Sequence, residues 1–300
     1  MIRRVLLLAA LAAALPAADA SAAWPGANGR LSFFTIADGK VQLRTGPLDL
    51  RPSRRIAVFP PKPVNFHLHS GFGQWSPSGR RLLFQRVTVG FEIRTPRGRL
   101  VRRFPVDELW NPSWSPDGRR IVAADLHAGQ RLLAIMRADG TGLRRVPTGV
   151  APGDTLNFPR WSPTGGYLAY EEGTEQGPWV RRVAVAGGGD RRLAQGRLPT
   201  WSPDGARIAF ARGPDVFTMR ADGTGVRRIA AAPAEARHHR VGGLTFSPDG
   251  STLAFVRQDS ATEANSWTVL TVPAAGGRAR VRRVTRDFVG AIDWQPRPAR

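Results

Sequence analysis

Residues 201–210 read WSPDGARIAF, and close versions of this stretch recur along the chain. In each version an aromatic residue is followed by Ser-Pro, then by aspartate, serine or threonine, then by glycine and an apolar run. Proline presets φ for a tight turn, and glycine accepts the positive φ that such a turn needs. Each copy therefore predicts the end of one strand, a turn and the start of a second strand. The other copies begin at Trp75, Trp114, Trp161 and Phe246.

The spacing of these copies indicates a repeat architecture. Their opening aromatic residues are 39, 47, 40 and 45 residues apart. Each interval has room for a third strand, a glycine turn such as ADGTG, and a fourth strand that starts with a double arginine. Four short strands per 40–50 residues are typical of a β-propeller blade. The double arginines are Arg54-Arg55, Arg102-Arg103, Arg144-Arg145, Arg191-Arg192, Arg227-Arg228 and Arg282-Arg283.

A sixth copy is divided between the two ends of the chain. Residues 293–296 read DWQP, and the matching continuation NGRLSFF lies at residues 28–34. We expect the strand at 291–295 to pair with the strand at 30–36. The predicted fold is all-β: a six-bladed β-propeller of four-stranded antiparallel blades, its ring closed by pairing of the N- and C-terminal strands.

The first 22 residues have the three-part pattern of a secretory signal peptide. A short basic start is followed by an apolar run at residues 5–15, a proline and small residues suited to cleavage. The apolar run is shorter than the roughly 20 residues that span a membrane, and no later stretch is long enough. We therefore expect residues 1–22 to be removed and residues 23–300 to form one propeller domain, located in the periplasm or outside the cell.

The repeated WSPDG turn, the Ile-Ala-Phe strand after it and the ADGTG turn together resemble the repeat of the TolB-like propellers. The resemblance covers residues 24–296, without the additional N-terminal domain of TolB itself. It implies a propeller fold and an exported protein. It does not specify an activity, because such blades also occur in periplasmic translocation proteins, in peptidase propellers and in some polysaccharide lyases.

Charge and composition argue against several classes of function. The formal net charge is +21, from 44 basic and 23 acidic residues, and the basic residues are almost all arginine. Because twelve of the arginines occur as one pair per blade on the outer strands, the pattern favours protection of exposed strand edges over a specific nucleic-acid groove. There is no cysteine and no Gly-x-Ser-x-Gly motif, so cysteine or hydrolase-type serine catalysis is not expected.

Candidate binding residues cluster on one predicted face of the ring. The loops between the second and third strands and the connections between blades open on the same face, and variation in length is concentrated there. The alternate spacing in His67-Leu68-His69 and Asp125-Leu126-His127 directs two potential ligands the same way, so His67, His69 and His127 are candidate ligands of a transition metal. The candidate binding residues are His67, His69, Asp125, His127, Glu171, Glu172, His238, His239 and Arg257.

These observations predict a binding module that is monomeric and has no cofactor. Its partner would be an envelope or secreted protein, or an anionic polysaccharide, bound through the variable loop face and the central funnel. Catalytic residues are not predicted. Two alternatives remain at this point. One is a metal-assisted lyase or hydrolase acting on an acidic polysaccharide, with a divalent metal held by the histidines. The other is a non-specific polyanion binder, whose binding would fall steeply with salt.

Overall fold

The computed structural model describes residues 24–37, 40–61, 73–86, 90–106, 108–233, 240–259 and 266–297. These residues form six four-stranded sheets, and every pair of neighbouring strands is antiparallel. The predicted six-bladed all-β propeller is therefore confirmed. In each blade the first strand is the innermost and the fourth is the outermost.

The first three blades contain the chain ends and the two repeats that follow. Blade 1 consists of β24 (Val289–Arg297), β1 (Ala27–Ala37), β2 (Lys40–Gly46) and β3 (Arg54–Pro61). Blade 2 consists of β4 (Gln74–Trp75), β5 (Leu82–Arg86), β6 (Gly90–Arg94) and β7 (Leu100–Phe104). Blade 3 consists of β8 (Leu109–Trp114), β9 (Arg120–His127), β10 (Gln130–Arg137) and β11 (Arg144–Pro147).

The remaining three blades follow the same order. Blade 4 consists of β12 (Thr155–Trp161), β13 (Tyr167–Thr174), β14 (Gly177–Ala184) and β15 (Arg191–Gln195). Blade 5 consists of β16 (Arg197–Trp201), β17 (Arg207–Arg212), β18 (Asp215–Arg220) and β19 (Arg227–Ala230). Blade 6 consists of β20 (Arg240–Phe246), β21 (Thr252–Asp259), β22 (Ser266–Pro273) and β23 (Arg280–Thr285).

The two ends of the chain close the ring as predicted. Strand β24 pairs with β1, with Trp294 opposite Leu31 and Asp293 opposite Ser32. Side chains extend the closure to both neighbouring blades. Asn28 Nδ2 donates to Asp249 Oδ2 in blade 6 at 2.8 Å, and Gln295 Nε2 donates to the carbonyl of Gly79 in blade 2 at 2.8 Å.

The WSPDG turns are closed by their own side chains. In blade 5 the Ser202 hydroxyl donates to Asp204 Oδ1 at 2.5 Å and accepts the N–H of Arg207 at 2.9 Å. The same serine–aspartate bond occurs in blades 3 and 6. The aromatic residues before the turns are buried, with Trp75, Trp114, Trp161 and Trp201 each 1% exposed. They pack between blades, as expected for one large apolar side chain per repeat.

A repeated irregularity of the inner strands has no signal in the sequence. Three residues before the aromatic position, φ lies between +49° and +56° at Asn111, Phe158, Leu198 and Ala291. The strand register shifts beside each of these residues, which marks a β-bulge. Asparagine tolerates positive φ, but phenylalanine, leucine and alanine seldom adopt it, so at Phe158, Leu198 and Ala291 the surrounding ring must hold the backbone in place. All four residues are buried.

Among the described residues, no helix has the length and apolar character needed to cross a membrane.

Candidate functional site: the channel and the two faces of the ring

The residue just before each repeat aromatic position forms a ring around the central channel. The set is Gln74, Ser113, Arg160, Thr200, Thr245 and Asp293, one residue from each blade. The remaining cavity along the axis is small, about 20 Å³. That volume holds about one water molecule. At this level, the channel is too narrow for an organic substrate.

Two members of this ring are charged and belong to opposite blades. Asp293 lies in blade 1 and Arg160 in blade 4, three positions apart in a ring of six. Burial raises the pKa of Asp293 to about 6, although the opposing Arg160 charge and the Trp75 N–H, which donates to Asp293 Oδ2 at 2.8 Å, act to lower it. Burial also lowers the pKa of Arg160 to about 10, against the Asp293 charge, which raises it. The channel centre therefore holds two groups of opposite charge whose pKa values are both shifted by burial.

The N-terminal end of the described chain closes the channel on one side. Trp24 is buried, lines the axial cavity, and donates its indole N–H to the carbonyl of Trp75 at 2.9 Å. Trp75 lies at the end of an inner strand where the WSPSG turn begins. We define the turn face as the end of the ring that carries these turns, and the loop face as the opposite end. Trp24 therefore closes the channel from the turn face.

Of the predicted binding residues, two carboxylates are bonded within their own blades. Asp125 is 3% exposed, and its Oδ2 lies 2.7 Å from Arg145 Nε. Glu172 is fully buried, with Oε2 2.6 Å from Arg192 Nε and 3.1 Å from Arg181 Nη1. Both carboxylates lie in the second strand of a blade and bind an arginine of the fourth strand of the same blade.

Two further residues of the predicted binding set contact a neighbouring blade. Glu171 is 7% exposed, and its Oε2 accepts the N–H of Leu198, one of the residues with positive φ, at 3.0 Å. Burial raises the pKa of Glu171, although the Arg197 charge and this hydrogen bond oppose the shift. Arg257 is 7% exposed and donates to the carbonyl of Pro214 in blade 5 at 3.3 Å. As placed, both residues stabilise contacts between blades.

The histidines are placed differently. His127 is exposed at the end of β9 on the loop face. His67, His69, His238 and His239 lie outside the described residues, so their predicted roles remain predictions. Within the described ranges there is no group of three or more side chains of the metal-ligating types close enough to hold an ion.

The double arginines connect successive blades, a role that the sequence did not reveal. In blades 2 to 5 the first arginine of the pair donates to a carbonyl in the turn between the third and fourth strands of the next blade. Arg144 Nη2 reaches the carbonyl of Val185 at 2.7 Å, and Arg227 Nη2 reaches that of Ala275 at 2.7 Å. Arg102 and Arg191 make the same kind of bond to Asp139 and Asp222.

The second arginine of the pair meets a carboxylate of its own blade in four cases. The pairs are Arg103–Glu92, Arg145–Asp125, Arg192–Glu172 and Arg228–Asp215. In blade 6 the assignment of the doublet from sequence is wrong. The strand register there places Arg280 and Val281 at the doublet positions, opposite Thr271 and Leu270. Arg282 lies at the bulge that follows, and Arg283 is opposite Val269.

The two faces of the ring differ in regularity. The turn face repeats one hydrogen-bonded turn, with a glycine N–H donating to the serine carbonyl in blades 2 to 6. The connections between blades on the loop face have no common length. They range from the single residue Gly196, between β15 and β16, to residues 62–73, between β3 and β4. The loop face therefore carries the individual features of this chain.

No protein-family model matches the chain. Over 220 residues it is 28% identical to an uncharacterised protein of Agrobacterium fabrum, covering 70% of this chain and 68% of that protein. It is 34% identical over 108 residues to the Tol-Pal system protein TolB of Gluconobacter oxydans. That match covers 33% of this chain and 22% of the relative.

Solved structures show the same architecture. A putative TolB from Agrobacterium tumefaciens superposes with a TM-score of 0.65 and 18% identity, covering 90% of this chain and 99% of that chain. TolB from Acinetobacter baumannii gives a TM-score of 0.64 and 16% identity over 90% of this chain and 67% of that chain. An oligogalacturonate lyase in complex with manganese reaches 0.52 at 14% identity, over 87% of this chain and 75% of that chain. At these identities the likeness concerns the fold, and the chain is a six-bladed β-propeller with the TolB-like fold.

Proposed function

We propose that this protein is an exported interaction module that docks a protein of the cell envelope through the loop face of its propeller. The observation that carries the proposal is the contrast between the faces. The turn face repeats one self-bonded turn, whereas the connections on the loop face differ from blade to blade. A rigid scaffold that presents varied loops is the usual arrangement of a binding surface.

The interior supports the same proposal. The axial cavity is about 20 Å³, and the buried carboxylates Asp125 and Glu172 are engaged by arginines of their own blades. These carboxylates are used in holding the strands of their own blades together. The partner would then contact the exposed loops of the loop face, where His127 lies at the end of β9.

The sequence and one relative support export and the kind of partner that we propose. Residues 1–22 have the pattern of a signal peptide and lie outside the described residues. The relative from Gluconobacter oxydans is named as a component of a Tol-Pal system, although the match covers a third of this chain. An envelope protein is therefore the class of partner that we propose.

Site-specific crosslinking can test which face is used. A photo-crosslinking amino acid replaces His127, on the loop face, or Asp139, in the β10–β11 turn of the same blade on the turn face. Both residues are exposed. We expect one partner to crosslink in the native cell envelope from position 127 and not from position 139. Crosslinking from position 139 alone, or from neither, would contradict the proposal.

The enzyme alternative can be tested separately. A metal-assisted lyase or hydrolase would need a bound metal, for which the sequence offers His67, His69 and His127. Elemental analysis of the purified mature protein, compared with a variant carrying alanine at these three positions, measures that metal. Stoichiometric zinc or manganese that is lost in the variant would favour the enzyme over the docking module.

A further inference from the structure

One position of the fourth strand packs against the next blade throughout most of the ring. It is defined by its partner in the third strand: Ala57 is opposite Leu43, and Val146 is opposite Leu133. In five blades the position is apolar and at most 7% exposed. Its occupants there are Ala57, Phe104, Val146, Ala194 and Ala230.

Blade 6 departs from this rule. Arg283, opposite Val269, occupies the same position and is half-buried. An arginine between two sheets needs polar partners, because its guanidinium carries five N–H groups and a fixed charge. The next blade around the ring is blade 1, so Arg283 is directed at the interface where the ring closes.

A cleft opens at this interface. Its volume is about 190 Å³, and its walls come from β1, β2 and the loop after β2 on one side and from β23 and the start of β24 on the other. Among the described residues that line the cleft, three are arginines and Asp287 is the single carboxylate. We call it the closing cleft; its polar lining is Thr35, Arg44, Arg51, Ser53, Arg283, Thr285 and Asp287.

One of the three arginines is held in place by the protein itself. Arg44 donates from Nε to Ser53 Oγ at 2.9 Å, from Nη1 to Gln42 Oε1 at 2.8 Å, and from Nη2 to the Ser53 carbonyl at 3.1 Å. Two of its five N–H groups are left for a ligand. Because Ser53 Oγ accepts from Arg44, its hydroxyl proton can be donated into the cleft.

The arginines of the closing cleft lack the carboxylate partners that fourth-strand arginines have in blades 2 to 5, as far as the described residues show. In blades 2 to 5 an arginine of the fourth strand pairs with a carboxylate at 2.6 to 3.2 Å. Among the described residues, no carboxylate lies within ion-pair distance of Arg44, Arg51 or Arg283. With three arginines and one carboxylate, the lining attracts an anion.

We propose that the closing cleft binds a small oxyanion through Arg283, Arg44 and Arg51. The planar fork of arginine matches the paired oxygens of phosphate and carboxylate groups. Those two groups share the same recognition chemistry, so the ligand is a small molecule that carries a phosphate group or two or more carboxylate groups. The proposal is independent of partner docking on the loop face.

Isothermal titration of the mature protein tests the site with two probes, inorganic phosphate and citrate. We expect at least one probe to bind with one site per chain, and the stronger of the two identifies the chemical group. The test variant is Arg283→Leu, which restores the apolar character of the other five blades and should fold. Loss of one charged donor should weaken binding by about tenfold to a hundredfold.

The matched control is Arg282→Leu. It removes the same charge from the neighbouring residue, whose Nε donates to Thr271 Oγ1 at 2.8 Å outside the cleft. We expect this control to bind like the parent, and Arg51→Ala to weaken binding as Arg283→Leu does. The proposal is overturned if neither probe binds the parent protein at millimolar concentration. It is also overturned if Arg282→Leu and Arg283→Leu weaken binding equally, because net charge alone would then explain the attraction.

Discussion

The interface between blades 5 and 6 and the interface between blades 6 and 1 differ at two equivalent positions of the outermost strand. At the first, Ala230 is 2% exposed against the next blade, and Arg227 donates to the carbonyl of Ala275. At the second, Arg283 takes the place of the buried alanine, and a cleft of about 190 Å³ opens. Arg280, which corresponds in register to Arg227, is exposed and makes no hydrogen bond to a described residue of blade 1.

The difference shows that a regular repeat can contain one specialised interface. Blade 6 keeps its turn, its buried aromatic residue and its four strands. What changes is the end of the outer strand, where Val281, Arg282 and Arg283 stand in place of an arginine and two apolar residues, and the longer loop that follows β2 in blade 1. Ring closure itself depends on backbone pairing of β24 with β1, which the cleft leaves intact.

The largest expected effect comes from breaking the closure. A chain that ends at Val289 lacks almost all of β24, including Trp294 and Asp293, and leaves β1 without its partner. We expect a loss of more than about 5 kcal/mol in the free energy of unfolding, since a whole strand and a buried tryptophan are removed. Thermal unfolding followed by circular dichroism measures this. A chain ending at Arg297 is the control, and equal melting of the two chains would contradict the proposed role of the strand.

Exchanging the residues of the two interfaces sharpens the comparison. Ala230→Arg introduces an arginine into a packed, 2% exposed position between blades 5 and 6. We expect destabilisation of about 3 kcal/mol from overpacking and an unpaired buried charge. The reciprocal Arg283→Leu should leave stability unchanged or raise it. Urea unfolding of both variants measures the difference, and similar losses in the two would refute the distinction between the interfaces.

The charged residue that blade 1 contributes to the channel predicts a pH dependence. Burial raises the pKa of Asp293 from 3.8 to about 6, so between about pH 4 and pH 6 the folded state binds more protons than the unfolded state. Stability contributed by this group is therefore complete below pH 4 and is lost as the pH rises to 6. The slope for one proton is at most about 1.4 kcal/mol per pH unit.

The variant Asp293→Asn should lose this contribution to the slope. Because the substitution also removes the charge opposite Arg160, the comparison concerns the pH dependence of unfolding and not the absolute stability. Urea unfolding between pH 4 and pH 7 gives the two curves. If the curves remain parallel through this range, Asp293 does not titrate as described.

The smallest effect concerns the arginine that bridges two blades. Arg227→Ala removes the hydrogen bond to Ala275 and should cost about 1 kcal/mol. Arg280→Ala removes the corresponding arginine of blade 6 and should change stability by less than about 0.5 kcal/mol. Chemical unfolding at one pH and salt concentration compares them. Equal losses would show that the bond to the next blade contributes nothing measurable.

Much of this architecture could be predicted because the repeat is local. The turn sequence sets a tight turn, the aromatic residue packs one blade on the next, and the split copy at 293–296 and 28–34 predicts closure. The bulges at Asn111, Phe158, Leu198 and Ala291 could not be predicted, since these four residues share no side-chain type that favours positive φ. The sequence also treated Glu171 and Glu172 as loop ligands, whereas the hydrogen bonds of the fold engage both inside the ring.

The amino-acid sequence by itself determined six blades, their turns and the pairing of the chain ends, because these depend on short motifs and their spacing. The tertiary structure alone decided which residues meet across blades. Arg160 and Asp293 are 133 positions apart in the chain and face each other because a ring of six places the first and fourth blades opposite. Arg283 opens onto the same cleft as Arg44 because the register of β23, with the bulge that blades 1, 4 and 5 share, places residue 283 where those blades bury an alanine. That register appears only when neighbouring strands are paired.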